Sequence, residues 1–141
     1  MQIGGTNWYT QTTTNASGGY GVTTAVTQLG TASATVLSDP AAGNPQVNIN
    51  PPPPAINNFT GIQQPNGYWE FKGTVGGTPN PSGMTVSFSG FQAINGKSTT
   101  VSAYDNFDVY YYLPGAAGTV YAQTTDWWGR QSNQAADYIS P

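Results

Sequence analysis

The sequence predicts an all-β fold, an antiparallel β-sandwich preceded by a partial β unit. Three observations carry this. First, no window of a dozen residues keeps apolar side chains at the i, i+3, i+4 spacing of an amphipathic helix, whereas alternation with a period of two recurs along the chain. Second, Gly, Pro and Asn fall between the alternating runs, where turns require them. Third, the chain echoes itself at a separation of 87 residues: Tyr20 with Phe107, Val22 with Val109, Asp39 with Asp126. In both copies an aromatic opens an apolar-rich run, an Asp closes a second run, and a Gly follows within four residues, Gly43 and Gly129. That spacing is one small sandwich domain. The chain therefore reads as a partial repeat followed by a complete one.

Residues 1–17 are rich in Thr, Asn and Gln, with Ile3, Trp8 and Tyr9 as their large apolar side chains. Their composition predicts an extended, mobile segment. Runs at 20–29, 31–38 and 45–50 predict three strands, matching the last three of the complete domain. Val22, Val26, Val36, Val47 and Ile49 are their candidate core, too few to bury both faces of a sandwich. The four prolines at 51–54 set polyproline II, a stiff spacer of about 3 Å per residue. They divide a partial β repeat at 1–50 from a complete domain at 55–141.

In the complete domain, residues 56–60 predict a first edge strand. Trp69, Phe71, Gly73 and Val75 then share one strand face, with Tyr68, Glu70, Lys72 and Thr74 on the other. Met84, Val86 and Phe88 alternate with Thr85, Ser87 and Ser89. Val101 and Ala103 repeat the pattern. Phe107, Val109, Tyr111 and Leu113 face in, while Asp108, Tyr110 and Tyr112 face out. Val120 and Ala122 continue the inner face and Ile139 ends it. Asn66-Gly67 and Asn95-Gly96 have the composition of two-residue hairpin turns. Pro79 to Gly83 makes a longer connection, Pro114-Gly115 ends the aromatic strand, and Asp126-Trp127-Trp128-Gly129 turns the chain into the last strand. About seven short strands in this length match an immunoglobulin-like sandwich.

Composition excludes more chemistry than it suggests. The chain has 141 residues, of which 6% are charged, against roughly 25% in an ordinary soluble domain. Three cations, Lys72, Lys97 and Arg130, and a net charge of −3 cannot form the basic stripe that a nucleic acid needs. Cys and His are absent, which removes disulfides, thiolate catalysis and metal sites built on those ligands. No apolar run is long enough to span a membrane. Thr, Ser, Asn, Gln and Gly replace charge, so close self-association meets little repulsion. This polar composition points to a location outside the cell or on its surface.

Pro54-Ala55-Ile56, Phe59, the stretch Gly67-Tyr68-Trp69-Glu70-Phe71-Lys72-Gly73-Thr74-Val75, and Met84-Thr85-Val86-Ser87-Phe88 with Gly90 resemble the opening of bacterial immunoglobulin-like repeats. Asn106-Phe107, Gly118-Thr119-Val120-Tyr121-Ala122 and Asp126 to Gly129 with Ser132-Asn133 resemble their closing half. Such repeats stand in tandem in large secreted and cell-surface proteins. The resemblance covers about residues 54–140. It implies spacing, adhesion or surface assembly and brings no catalytic residues with it. Residues 1–50 depart from it, as a closing half without its opening half.

Candidate sites follow. Trp127 and Trp128, with Tyr110, Tyr112 and Tyr121 set outward by alternation, form a candidate aromatic contact surface. It can stack sugar rings or meet a neighbouring subunit. Adjacent Trp residues cannot both face one side of a strand, so one is expected to plug the end of the sandwich. Asp105, Asn106, Asp108 and Asp126 offer oxygen atoms, yet no loop has EF-hand spacing, so no metal or other cofactor is expected. Six acids without a paired arrangement give no basis for an enzyme. The expected function is a structural extracellular β-sandwich protein, a subunit or link of a surface filament assembled by strand sharing between copies of itself. Ile3, Trp8 and Tyr9 are its candidate assembly residues. The alternative is a carbohydrate-binding or adhesive module that uses the exposed aromatics on a surface polysaccharide.

Overall fold

The echo in the sequence becomes two units, Met1–Asn50 and Pro51–Pro141. The structure is a computed structural model and describes residues 2–4, 9–23 and 29–141. The chain is nearly all β and its sheets are antiparallel, as the alternation predicts.

The second unit has seven strands: β5 (Ala55–Gln63), β6 (Tyr68–Gly76), β7 (Thr85–Ser89), β8 (Ser98–Thr100), β9 (Asn106–Tyr112), β10 (Gly118–Thr124) and β11 (Ala135–Ile139). They form two sheets, β5-β6-β9 and β8-β7-β10-β11. The strand sequence crosses between sheets after β6, β8 and β9, which gives the immunoglobulin-like arrangement. The inner faces are built by the alternating residues. Trp69, Phe71, Val75, Met84, Val86, Phe88, Val101, Phe107, Leu113, Val120 and Ile139 are buried, and Val109 is half-buried. Phe71, Phe88, Phe107 and Phe59 sit with ring centroids 5.7–6.3 Å apart, at the spacing of favourable aromatic pairs. Gly73 lies on this face because a Cβ there would stand 2.8 Å from the Phe107 ring. Asn66 and Gly67 take φ of 63° and 82° in the turn between β5 and β6, as an Asn-Gly hairpin requires.

The first unit contains β1 (Gln2–Gly4), β2 (Tyr9–Gln11), β3 (Gly30–Thr35) and β4 (Gln46–Ile49) in one sheet, ordered β2-β1-β3-β4. Two of the expected strands, at 31–38 and 45–50, correspond to β3 and β4. The others need correction. Residues 1–17, whose composition predicts an extended, mobile segment, supply β1 and β2 to the unit's own sheet, because a short polar strand can be held by a neighbour's hydrogen bonds without an apolar pattern of its own. Residues 20–23 and 29 are not in a strand, and 24–28 lie outside the described residues, as do Val26 and Trp8. The buried residues of this sheet are the small Ala32 and Ala34, while Val22 and Val47 are exposed.

Three details of the second unit also depart from expectation. Asn95-Gly96 does not close a two-residue hairpin. Gly96 alone has positive φ, and the Asn95 carboxamide accepts from Gly90 N within a longer loop. Ala103 is exposed in a turn, since β8 ends at Thr100. Glu70, placed on an outer face, is buried and satisfied by Gln64 Nε2 at 2.6 Å and Lys72 Nζ at 3.3 Å.

Candidate functional site

The sheet of the first unit is a copy, in register, of one sheet of the second. In β10–β11, Gly118 pairs with Ile139 and Val120 with Asp137. In β3–β4, Gly30 pairs with Ile49 and Ala32 with Val47. Both glycines hold almost the same backbone, φ 138° and 140°, a conformation open to glycine. Ala34 then corresponds to Ala122, and its other neighbour matches as well: Ile3 of β1 faces Ala34 as Phe88 of β7 faces Ala122. β2 flanks β1 as β8 flanks β7. The turns agree too. Asp39 Oδ1 accepts from Ala41 N at 3.1 Å and Asp126 Oδ1 from Trp128 N at 3.0 Å. The first unit is therefore the β8-β7-β10-β11 half of the sandwich.

In the second unit the matching face is covered by β5, β6 and β9. Among the described residues of the first unit no second sheet covers it. A groove of about 360 Å³ remains there, lined by Tyr20, Val22, Ala32, Ala34, Pro45 and Val47. Val47 is 61% exposed. Of the three candidate assembly residues, Ile3 lies in β1 opposite Ala34, Tyr9 lies in β2 and is 70% exposed, and Trp8 falls outside the described residues.

The candidate aromatic residues divide over two places. Tyr110 and Tyr112 lie on the outer face of β9, with Tyr68 5.3 Å from Tyr112 between ring centroids. Desolvation, and then the Asp108 and Glu70 carboxylates, hold the Tyr110 hydroxyl above its ordinary value. Tyr121 is half-buried. Trp127 is 56% exposed and stands at a groove of about 580 Å³ with Thr85, Ser87, Gln123, Thr125 and Gln131. Its indole N–H donates to Asn80 O at 3.1 Å, which fixes the ring. Trp128 turns the other way, half-buried beneath the Arg130 guanidinium at 5.4 Å.

Asp126 builds this corner. Its side chain is enclosed and accepts from Trp128 N, Arg130 N and Arg130 Nε at 3.0, 2.8 and 2.9 Å. Burial works against its charge, but the Arg130 and Trp128 donors outweigh that, and its carboxyl sits below the ordinary value. Asp126 is thus committed to Arg130 and apart from Asp105 and Asp108, which are exposed. No group of three potential metal ligands occurs among the described residues.

Sequence reasoning missed the residues that close the sandwich. Arg130 Nη1 donates to Pro51 O at 2.7 Å and Nη2 to Pro52 O at 3.2 Å, so the proline run is anchored on its own unit. Asn133 accepts from Ile56 N and donates to Ile56 O. Asp137 accepts from Gly61 N at 2.7 Å. No motif marks such contacts, which span more than 75 residues. No helix is long and apolar enough to cross a membrane among the described residues. No protein family matches the sequence, and no curated protein or solved structure is detectably similar to it.

Proposed function

We propose that the chain is a structural, non-catalytic β protein that works outside the cell or on its surface, as a link in a filament joined by shared strands. One observation supports this reading: among the described residues, the first unit is a register-matched half of a sandwich in which no second sheet covers the inner face and no strand pairs with the outer edges of β2 and β4. Open edges present unpaired N–H and C=O groups that take up further strands. Edge strands are usually guarded by charge, and β2 and β4 contain none. Copies of the chain meet edge to edge through these strands, and contacts that do not close on themselves extend into filaments.

The test is to place charge on both edges, away from the inner face. Gln11→Lys with Asn48→Lys adds two cations to the outer side of β2 and β4. Sedimentation velocity and negative-stain imaging of the parent chain should give concentration-dependent oligomers or fibres, and the double variant should give smaller species. A parent chain that stays monomeric at high concentration refutes the reading.

A second reading, a carbohydrate-binding module, is favoured by the Trp127 groove. A fixed, exposed indole beside uncharged hydroxyl and amide side chains suits a neutral sugar ring.

A further inference from the structure

We infer that the outer edge of β9 is a self-association surface, on which β9 of a second copy of the chain pairs antiparallel about a two-fold axis at Tyr110. The surface lies in the second unit and does not depend on the β2 and β4 edges.

The sheet edges of the second unit are β5, β9, β8 and β11, and all but β9 are guarded. β5 carries a register shift between Asn57 and Thr60, with Asn58 at φ 53°. Asn133 hydrogen-bonds Ile56, and Asp137 of β11 accepts from Gly61 N, which joins the β5 and β11 edges. β8 is three residues long. β9 has seven residues, no Pro, Lys or Arg, and pairs only with β6. Asp108 is its one charge, and it stands in register with Lys72 of β6.

The hydrogen bonds at the two ends of β9 show which groups are open. Val75 N donates to Asp105 O and Leu113 N to Gly67 O, both at 2.8 Å. The ladder between them is therefore made by Phe107, Val109 and Tyr111. Alternation turns the N–H and C=O of Asp108, Tyr110 and Tyr112 the other way. Asn106 keeps the same phase: its C=O accepts from Ser102 N at 2.7 Å, away from β6. Among the described residues no strand pairs with β9 on that side, and the side chains of Asp108, Tyr110 and Tyr112 are exposed.

This edge is its own complement. An antiparallel copy centred on Tyr110 sets Tyr110 against Tyr110 and Asp108 against Tyr112. Every outward donor then meets an outward acceptor. The acid meets a phenol and not a second acid, and the central tyrosines pair across the join. On the other face Val109 stands against Tyr111 of the copy; both are half-buried, and the pairing covers them further. Neighbouring registers fit less well. One places Asp108 against Asp108. Another pairs Tyr112 with Asn106, whose C=O is already used. The symmetry closes on itself and gives a dimer. A strand-edge contact is smaller than the standard interface of about 1,600 Å², so the dimer is reversible.

The chain has no Cys, so single cysteines read the contact. Under mild oxidation the Tyr110→Cys chain should form disulfide-linked dimers, because facing residues of paired strands lie within disulfide reach. Tyr138→Cys, at an exposed position of β11, should stay mostly monomeric. Chains with Asp108→Cys and with Tyr112→Cys should link to each other and hardly to themselves. In the parent chain the amides of Asp108, Tyr110 and Tyr112 should gain hydrogen-exchange protection as concentration rises, a readout that needs no variant. Tyr110→Lys, which sets like charges face to face, should weaken the dimer about tenfold in sedimentation. Equal linking of Tyr138→Cys overturns the inference, as do amides indifferent to concentration. The cross-links are repeated with Gln11→Lys and Asn48→Lys added; they should persist, and their loss also overturns it. A chain that polymerises without linking at Tyr110 removes this inference alone, and a chain that stops at a Tyr110-linked dimer removes the filament alone.

Discussion

At the scale of single residues, Asp126 shows how a polar side chain fixes a corner of a β-sandwich. It is enclosed, yet three donors make its charged form the favoured one. Its folded-state pKa lies below the unfolded value of about 3.9. Its contribution is therefore complete above that pH and is lost as pH falls through the depressed folded value. Thermal melts of the parent chain should lose stability in that acid window, and Asp126→Asn should melt lower at neutral pH and flatten the acid loss. An equal acid slope in both proteins would assign it to other groups. The pairing was not legible in the sequence, where Asp126 read as a turn residue and a remote calcium ligand. An Asp at a turn looks the same whether its carboxylate meets water, a metal or Arg130. The core was legible because alternation alone decides burial on a two-faced strand. Phe71 and Phe88, both read as inward, are buried at the centre of the aromatic cluster. Truncation of either to Ala should cost about 3–5 kcal/mol by chemical denaturation.

At the scale of elements, turn chemistry was legible where the backbone needs it locally and misleading where a long loop does the work. Asn66-Gly67 has both residues at positive φ, and a Cβ on Gly67 would stand 3.1 Å from the Tyr112 ring. Gly67→Ala should therefore cost about 1–2 kcal/mol from backbone strain alone. Asn95-Gly96 has the same composition, but Asn95 spends its side chain on Gly90 N, so the dipeptide closes no hairpin. Strands β1 and β2 were illegible for a different reason. Three residues cannot display a period; β1 is held by β3, more than twenty residues away, and β2 only by β1. The Trp127 corner was half legible: adjacency predicted that the two indoles part, and Trp127 takes the exposed side. If the groove at Trp127 holds a neutral sugar, affinity electrophoresis in gels containing soluble β-glucan, mannan or chitin oligosaccharides should retard the parent chain and not Trp127→Ala. Trp128→Ala, which empties a half-buried site, should retain the interaction if the fold survives. Equal mobility of parent and Trp127→Ala in every gel would remove the second reading.

At the scale of the molecule, the two units differ in how much sheet their described residues form, and their stabilities should differ accordingly. The second unit buries an aromatic core between two sheets, sealed by Arg130 on the proline carbonyls, Asn133 on Ile56 and Asp137 on Gly61. The first has Ala32 where the second has Val120, and one described sheet. A single sheet without a covered face buries too little apolar surface to offset its chain entropy by a wide margin. Hydrogen exchange of the dilute full chain should therefore divide at the prolines. Amides of β6, β7 and β10 should exchange only on global opening of the second unit, while those of β3 and β4 should exchange orders of magnitude faster. Association should reverse that order. Once neighbours supply strands to the first unit, protection at β3 and β4 should rise with protein concentration while β6, β7 and β10 stay unchanged, since binding stabilises only the state that binds. Equal protection of the two units in dilute solution would mean that the first unit is already complete, and the case for a neighbour's strands would end there.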